Sequence, residues 1–196
     1  MKIYAVNSSQ PVAGTFIYNM VADSSLTPWR KPLFLPDFDE HFTLRLSPAV
    51  YLSRLGKSIA RRFAPRYYEE GAVGFMLRAE GLYDRLAAAG LPTCQAVSFD
   101  ESAMISPKMP FAELASLCSS GIRIYVNGEL RQTVATPDLA ARMDDAIANL
   151  SRNTTLKTGD VIFADLPDTG VDIAAGDRIL FASAADDSPI HQFTIK

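Results

Sequence analysis

Ile122-Arg-Ile-Tyr-Val-Asn-Gly-Glu-Leu-Arg-Gln132 is the stretch that decides the fold class. Two runs of strand-forming composition flank Asn127-Gly128, a dipeptide suited to positive φ at both central positions of a type I′ turn. A tight antiparallel hairpin is the expectation. Just after it, a helix is predicted over 137–150, with Thr136 as N-cap, Pro137 at the first helical position and acids in the first turn. Leu139, Met143, Ile147 and Leu150 form its apolar stripe. Downstream, 161–163, 178–182 and 191–195 read as short strands. Upstream, strands are expected at 2–6, 15–19, 41–46 and 72–79, with 49–52 continuing the third of these beyond Pro48. That proline should lie at an edge or bulge, because it has no ladder donor. A helical turn or two around 60–70 is interrupted at Pro65, and a helix over 82–89 is closed by Gly90 and Pro92. The sum is a β-rich α+β fold.

A chain of 196 residues is long enough for one domain with a substantial core, and 1–196 reads as one. With a formal charge of −3 and scattered Lys and Arg, it offers no nucleic-acid groove. No apolar run approaches the length of a membrane span, and no charged-then-apolar leader opens the chain, so the expected location is the cytoplasm. Cys94 and Cys118 match no metal spacing and are expected to be reduced, buried and inert.

A second set of segments carries a resemblance. Pro32-Leu-Phe-Leu-Pro-Asp-Phe38 leads into Thr43-Leu-Arg-Leu-Ser-Pro48, Arg54-Leu-Gly-Lys-Ser-Ile59 and Phe63-Ala-Pro-Arg-Tyr-Tyr68. Then follow Gly90-Leu-Pro92, Ser98-Phe-Asp-Glu-Ser-Ala-Met-Ile-Ser106, Val126-Asn-Gly-Glu-Leu-Arg-Gln132, Thr155-Leu-Lys-Thr-Gly-Asp-Val-Ile162 and Gly176-Asp-Arg178. In this order and spacing they resemble the fumarylacetoacetate hydrolase family. The resemblance implies a mixed β-sandwich roll with a few short helices, usually assembled as a homodimer. It also implies hydrolysis, decarboxylation or tautomerisation of oxo acids with Mg²⁺ or Mn²⁺ held by three carboxylates.

Those carboxylates are what this chain lacks. Aligned residue by residue, the family's two glutamates fall on Arg45 and Ser47, and its aspartate on Met76. Hard divalent ions bind carboxylate and water oxygens, so a guanidinium and a thioether are the wrong donors. The family's lysine falls on Val97, and the threonine of its "GTP" turn on Leu166. Residues 1–30 lack the family's lid motif, and His41 is a poor substitute for its histidine. The expected degenerate pocket comprises Arg45, Ser47, Met76, Arg78, Glu80, Val97, Asp100 and Ser102, with no metal and no cofactor. Because alternate strand residues share a face, Arg45 is expected to pair with Glu80 there. Met76 reads as core filling, and Asp100 and Ser102 as loop-holding residues.

The leading expectation is a family protein without metal-dependent catalysis, a pseudoenzyme that binds a small carboxylate, an oxo acid or a protein partner. The alternative is an active hydrolase or isomerase on an acylpyruvate- or oxaloacetate-type acid, with Arg45 and Arg78 replacing the metal as electrophile.

Overall fold

The computed structural model describes residues 1–12, 15–29, 32–164 and 166–196, with backbone alone for 8–12 and 15. The chain opens with β1 (Ile3–Val12), β2 (Thr15–Val21) and β3 (Leu26–Pro28). Next come β4 (Phe42–Leu52), β5 (Tyr68–Ala79) and helix α1 (Glu80–Ala88). Short strands β6 (Ala103–Ile105) and β7 (Met109–Pro110) precede helix α2 (Phe111–Ser120). Strands β8 (Ile122–Val126) and β9 (Glu129–Val134) lead into α3 (Leu139–Asn153). The last strands are β10 (Val161–Phe163), β11 (Val171–Ile173), β12 (Arg178–Ser183) and β13 (Pro189–Thr194).

The hairpin forms as expected. Asn127 and Gly128 have φ of 54° and 88°, the two positive angles that a type I′ turn requires. The Asn127 side chain also donates to Asp177 at 2.8 Å and accepts from the Arg178 N–H at 3.0 Å. That ties the hairpin tip to the turn before β12. The smaller sheet runs β13-β12-β8-β9. The larger runs β2-β1-β10-β4-β5-β6-β3, with β11 beside β4 and β7 beside β5. Its spine is the antiparallel β4–β5 pair, in register from Phe42 opposite Ala79 to Ala49 opposite Ala72. The result is the strand-rich α+β architecture read from the sequence.

Alternation along the spine separates two environments. Phe42, Leu44, Leu46 and Val50 of β4, with Val73, Phe75 and Leu77 of β5, face the main core shared with the small sheet and helices. The opposite face carries Thr43, Arg45 and Ser47, then Ala49, Met76, Phe163 and Leu166 in a second apolar cluster. One face therefore grades from polar to apolar along its length.

Pro48 lies inside a strand flanked on both sides, not at a sheet edge. It is tolerated because the partners of β4 on one side are two short strands, paired to 42–44 and 49–51. Pro48 falls between them, where its missing donor breaks no ladder. Two helix starts also differ from expectation. Helix α1 begins at Glu80, and its first turn is held by Asp39 from a distant loop, which accepts the Leu82 N–H. Helix α3 begins at Leu139, with Asp138 rather than Thr136 at the N-cap and no side-chain cap bond, while Thr136 gives its N–H to Cys118 O at 2.8 Å. The predicted stripe Leu139, Met143, Ile147 and Leu150 is fully buried all the same.

Asp160 is more than a turn residue. Its buried carboxylate takes Lys2 Nζ at 2.6 Å and the backbone N–H groups of Lys2 and Lys157. It pins the start of β1 to the strand that follows it, β10. Of the two cysteines, only Cys118 is buried, its thiol pushed up to about 12 by desolvation, while Cys94 is exposed. A disulfide-exchange reagent is therefore expected to label Cys94 in the native protein and Cys118 only after unfolding. Rapid labelling of both thiols in buffer would contradict this.

Candidate functional site

The β4–β5 register assembles the site. Thr43 lies opposite Arg78, Arg45 opposite Met76 and Ser47 opposite Gly74, all presented on the same sheet face. Arg45 is buried, Ser47 wholly so, and Met76 belongs to the second apolar cluster. Glu80 is buried as the first residue of α1 rather than the last of a strand.

The expected Arg45–Glu80 pair does not form. Glu80 instead accepts Arg78 Nε at 2.8 Å and the Thr43 hydroxyl. Arg78 is the nearer cation because it is two residues away at the end of the same strand. Arg45 donates through Nε, at 2.6 Å, and Nη2 to Pro167 O. Burial, and then the Arg78 guanidinium, bring Arg45 down to about 10, with Glu80 and Asp168 opposing them. Arg78 also reaches Asp168 O at 3.2 Å and covers the Tyr83 ring at 4.5 Å.

The loop from Ala164 to Gly170 supplies these carbonyls. Ser47 donates to Ala164 O, Leu166 N–H to Val6 O at 2.9 Å, and Asn7 to the Asp168 carboxylate at 2.8 Å. The loop sits so close that a Cβ on Gly170 would lie 2.6 Å from Thr43 Cβ and 2.9 Å from Arg45 Cγ. Only glycine allows that approach. Asp165, within the same segment, lies outside the described residues, as do positions 13, 14 and 30 of the N-terminal segment without the family's lid motif.

The remaining sequence-derived candidates lie in the loop before β6. Val97 is buried, and Ser102 donates to Val97 O at 3.2 Å while accepting the Phe99 N–H at 3.3 Å. Asp100 is exposed. Ser102 reaches the spine only through its carbonyl, which takes the Leu77 N–H at 2.7 Å.

Two groups at the polar end lie outside the expected pocket. His41 Nε2 meets Asp172 Oδ1 at 2.8 Å, on the same face as Thr43 because Asp172 is in register with it. Hydrogen bonding to Asp172 raises His41 above the ordinary histidine value, and Glu80 and Asp39 add to the rise. Asp39 is pushed up by burial, but the His41 and Leu82 N–H groups outweigh that and hold it below the usual carboxylate range. Thr43 could have been found by alternation from Arg45. Nothing local marks Asp172, 131 residues from His41.

A curled, strand-rich α+β roll with two arginines beside a buried glutamate on one sheet face defines the class. Residues 10–184 match the family described as fumarylacetoacetate (FAA) hydrolase, C-terminal, and the chain belongs to that family. Among curated relatives, the oxaloacetate tautomerase YcgM of Escherichia coli K12 is 28% identical over 80% of this chain and 72% of its own. The mitochondrial oxaloacetate tautomerase FAHD1 of Rattus norvegicus is 26% identical over 74% of this chain and 65% of its own. This chain thus spans about two thirds of their length. The fumarylpyruvate hydrolase of Pseudomonas aeruginosa, solved with Mn²⁺ and pyruvate, superposes with a TM-score of 0.84 at 20% identity, covering 100% and 89% of the two chains.

That comparison corrects the expectation of no cofactor. The structural relative is a Mn²⁺ complex, so absence of a metal is not a property to assign to this chain. The donors at the three aligned positions are a guanidinium, a hydroxyl and a thioether, which do not fit a hard divalent ion. Among the described residues, no group of three or more His, Cys, Asp or Glu is placed to hold one. Nor is any described helix long and apolar enough to cross a membrane.

Proposed function

We propose that this chain acts on a small oxo acid of the oxaloacetate or acylpyruvate type, by tautomerase or hydrolase chemistry, with Arg45 and Arg78 holding the substrate's anionic oxygens. The observation that carries the reading is two guanidiniums close enough to act on one another beside the buried carboxylate of Glu80, which pairs with Arg78. Like charges kept close inside a protein cost free energy, and a bound carboxylate or developing enolate offsets that cost. The names of the curated relatives support the same substrate class. A homodimer in the cytoplasm completes the proposal.

The residues divide the work by position. Arg45, rigidly held by Pro167 O, presents a fixed charge, while Arg78, oriented by Glu80 and Tyr83, stands nearer the polar end. The apolar residues of this face, Met76 beside Arg45 and Phe163 and Leu166 further along, exclude water from one side.

Enol–keto interconversion of oxaloacetate and cleavage of acylpyruvates, followed by ultraviolet absorbance with EDTA and with added Mg²⁺ or Mn²⁺, test the proposal. Turnover is expected, and Arg78→Met is expected to lower it by about 10²-fold, the usual loss on deleting a charge-stabilising donor. No turnover of either substrate in any of these conditions would refute it.

A second reading, a binding protein without turnover, is favoured by one specific observation. Arg45 and Ser47 already donate to carbonyls of the chain's own loop. Oxalate binding by calorimetry without turnover of any substrate would select it.

A further inference from the structure

We propose that His41, oriented by Asp172, is the proton carrier of this site. The inference rests on the oxo-acid reading above and names the residue that moves the proton in it. Arg45 and Arg78 stabilise negative charge, but oxo-acid tautomerisation also needs a group that takes a proton from carbon and returns it to oxygen.

The geometry meets that need at one place. His41 precedes β4 and continues its polar face, since its carbonyl accepts the Glu80 N–H at 2.8 Å beside the Thr43–Glu80–Arg78 cluster. Its Nε2 is engaged by Asp172, which sets the ring's orientation and leaves Nδ1 as the nitrogen for chemistry. Asp172 in turn lines a cleft of about 320 Å³ with Arg131, Gln132, Thr169, Gly170 and Val171. Gln132, whose Oε1 is buried without a hydrogen-bond partner among the described residues, adds a polar side chain to the same lining. Gly170 is the bridge between the two regions, because its backbone packs directly on Thr43 and Arg45. Cleft, imidazole and guanidiniums thus surround one short loop.

The step balances within the substrate and His41. Neutral Nδ1 takes the proton from the carbon beside the ketone, and the C–H electron pair becomes the enol double bond. Charge moving to the carbonyl oxygen is met by a guanidinium, and Nδ1 returns the proton to that oxygen. No oxidant or co-reactant is consumed.

The groups that act most strongly on His41 are Asp172 on β11, Glu80 on α1 and Asp39 in the preceding turn, with Arg78 paired to Glu80 beside them. The carboxylates hold the imidazolium above the ordinary value, so ketone-to-enol turnover should rise with pH through that raised value. Replacing Asp172 should move the inflection down.

The experiment is a kinetic pH series on oxaloacetate for the wild type, His41→Gln, His41→Ala with added imidazole, and Asp172→Asn. Expected is a kcat loss of about 10²-fold in His41→Gln with little change in KM, and loss of the histidine inflection. Imidazole should restore part of the rate to His41→Ala, and Asp172→Asn should keep an inflection at lower pH. A His41→Gln protein with wild-type kcat and pH profile overturns the inference while leaving the substrate class intact. So does a loss that imidazole does not restore and that leaves the inflection in place. A wild type without turnover overturns the functional reading and this inference with it.

Discussion

Glu80→Ala is expected to destabilise the protein by about 3 kcal/mol, the lower end of what breaking a buried ion pair costs. Glu80 and Arg78 retain side-chain exposures of only 11% and 14%, so water can replace little of what is lost. The Thr43 hydroxyl loses its acceptor as well. Arg78 would then act on Arg45 without the carboxylate that offsets their charges. Urea denaturation reads the effect as a fall in midpoint with the slope unchanged. Adding Arg78→Ala to the same protein should recover part of the loss, because the uncompensated charge is removed with it. A cost under about 1 kcal/mol would show the pair solvated like a surface bridge.

Phe181→Ala is expected to cost about 3–5 kcal/mol, the range for deleting a fully buried aromatic. Phe181 belongs to β12 in the small sheet, yet its ring lies 5.8 Å from Phe75 in the large one. Trp29 at 5.9 Å and Phe193 at 5.7 Å complete the contact. His191 packs on this group, tilted at 4.4 Å from Trp29 and stacked at 5.4 Å on Phe193. Removing Phe181 opens a cavity at the joint between two sheets, where neither backbone can close it without breaking ladder bonds. Phe181→Leu should cost far less, since most of the volume is kept. Equal losses for both variants would mean that ring geometry, not volume, holds the sheets together.

Several features that set the site were hidden by their length. Strands β3, β6, β7 and β11 have two or three residues each, too few for alternation to register. Helix α2 was missed although Leu114 and Cys118, four residues apart, are its buried positions. Gly121, at φ 97°, ends it. Met76 and Arg78 were placed on the correct face because strand alternation needs no knowledge of partners. Glu80 was carried one step too far along the same strand, because the helix start depends on Asp39 from forty residues away.

The sequence by itself determined the hairpin at Asn127-Gly128, the buried stripe of α3 and the sharing of one face by Arg45 and Ser47. Each rests on φ preferences or on the periods of strand and helix, which act over a few residues. The ordered run of motifs, with its three missing carboxylates, was equally legible because it concerns residue identity alone. Only the tertiary structure decided the partners. Arg45 meets the Pro167 carbonyl, Arg78 takes Glu80, and His41 finds Asp172. Those choices follow from where the 164–170 loop and β11 cross β4. That course is set by packing across the whole chain, and no local pattern encodes it.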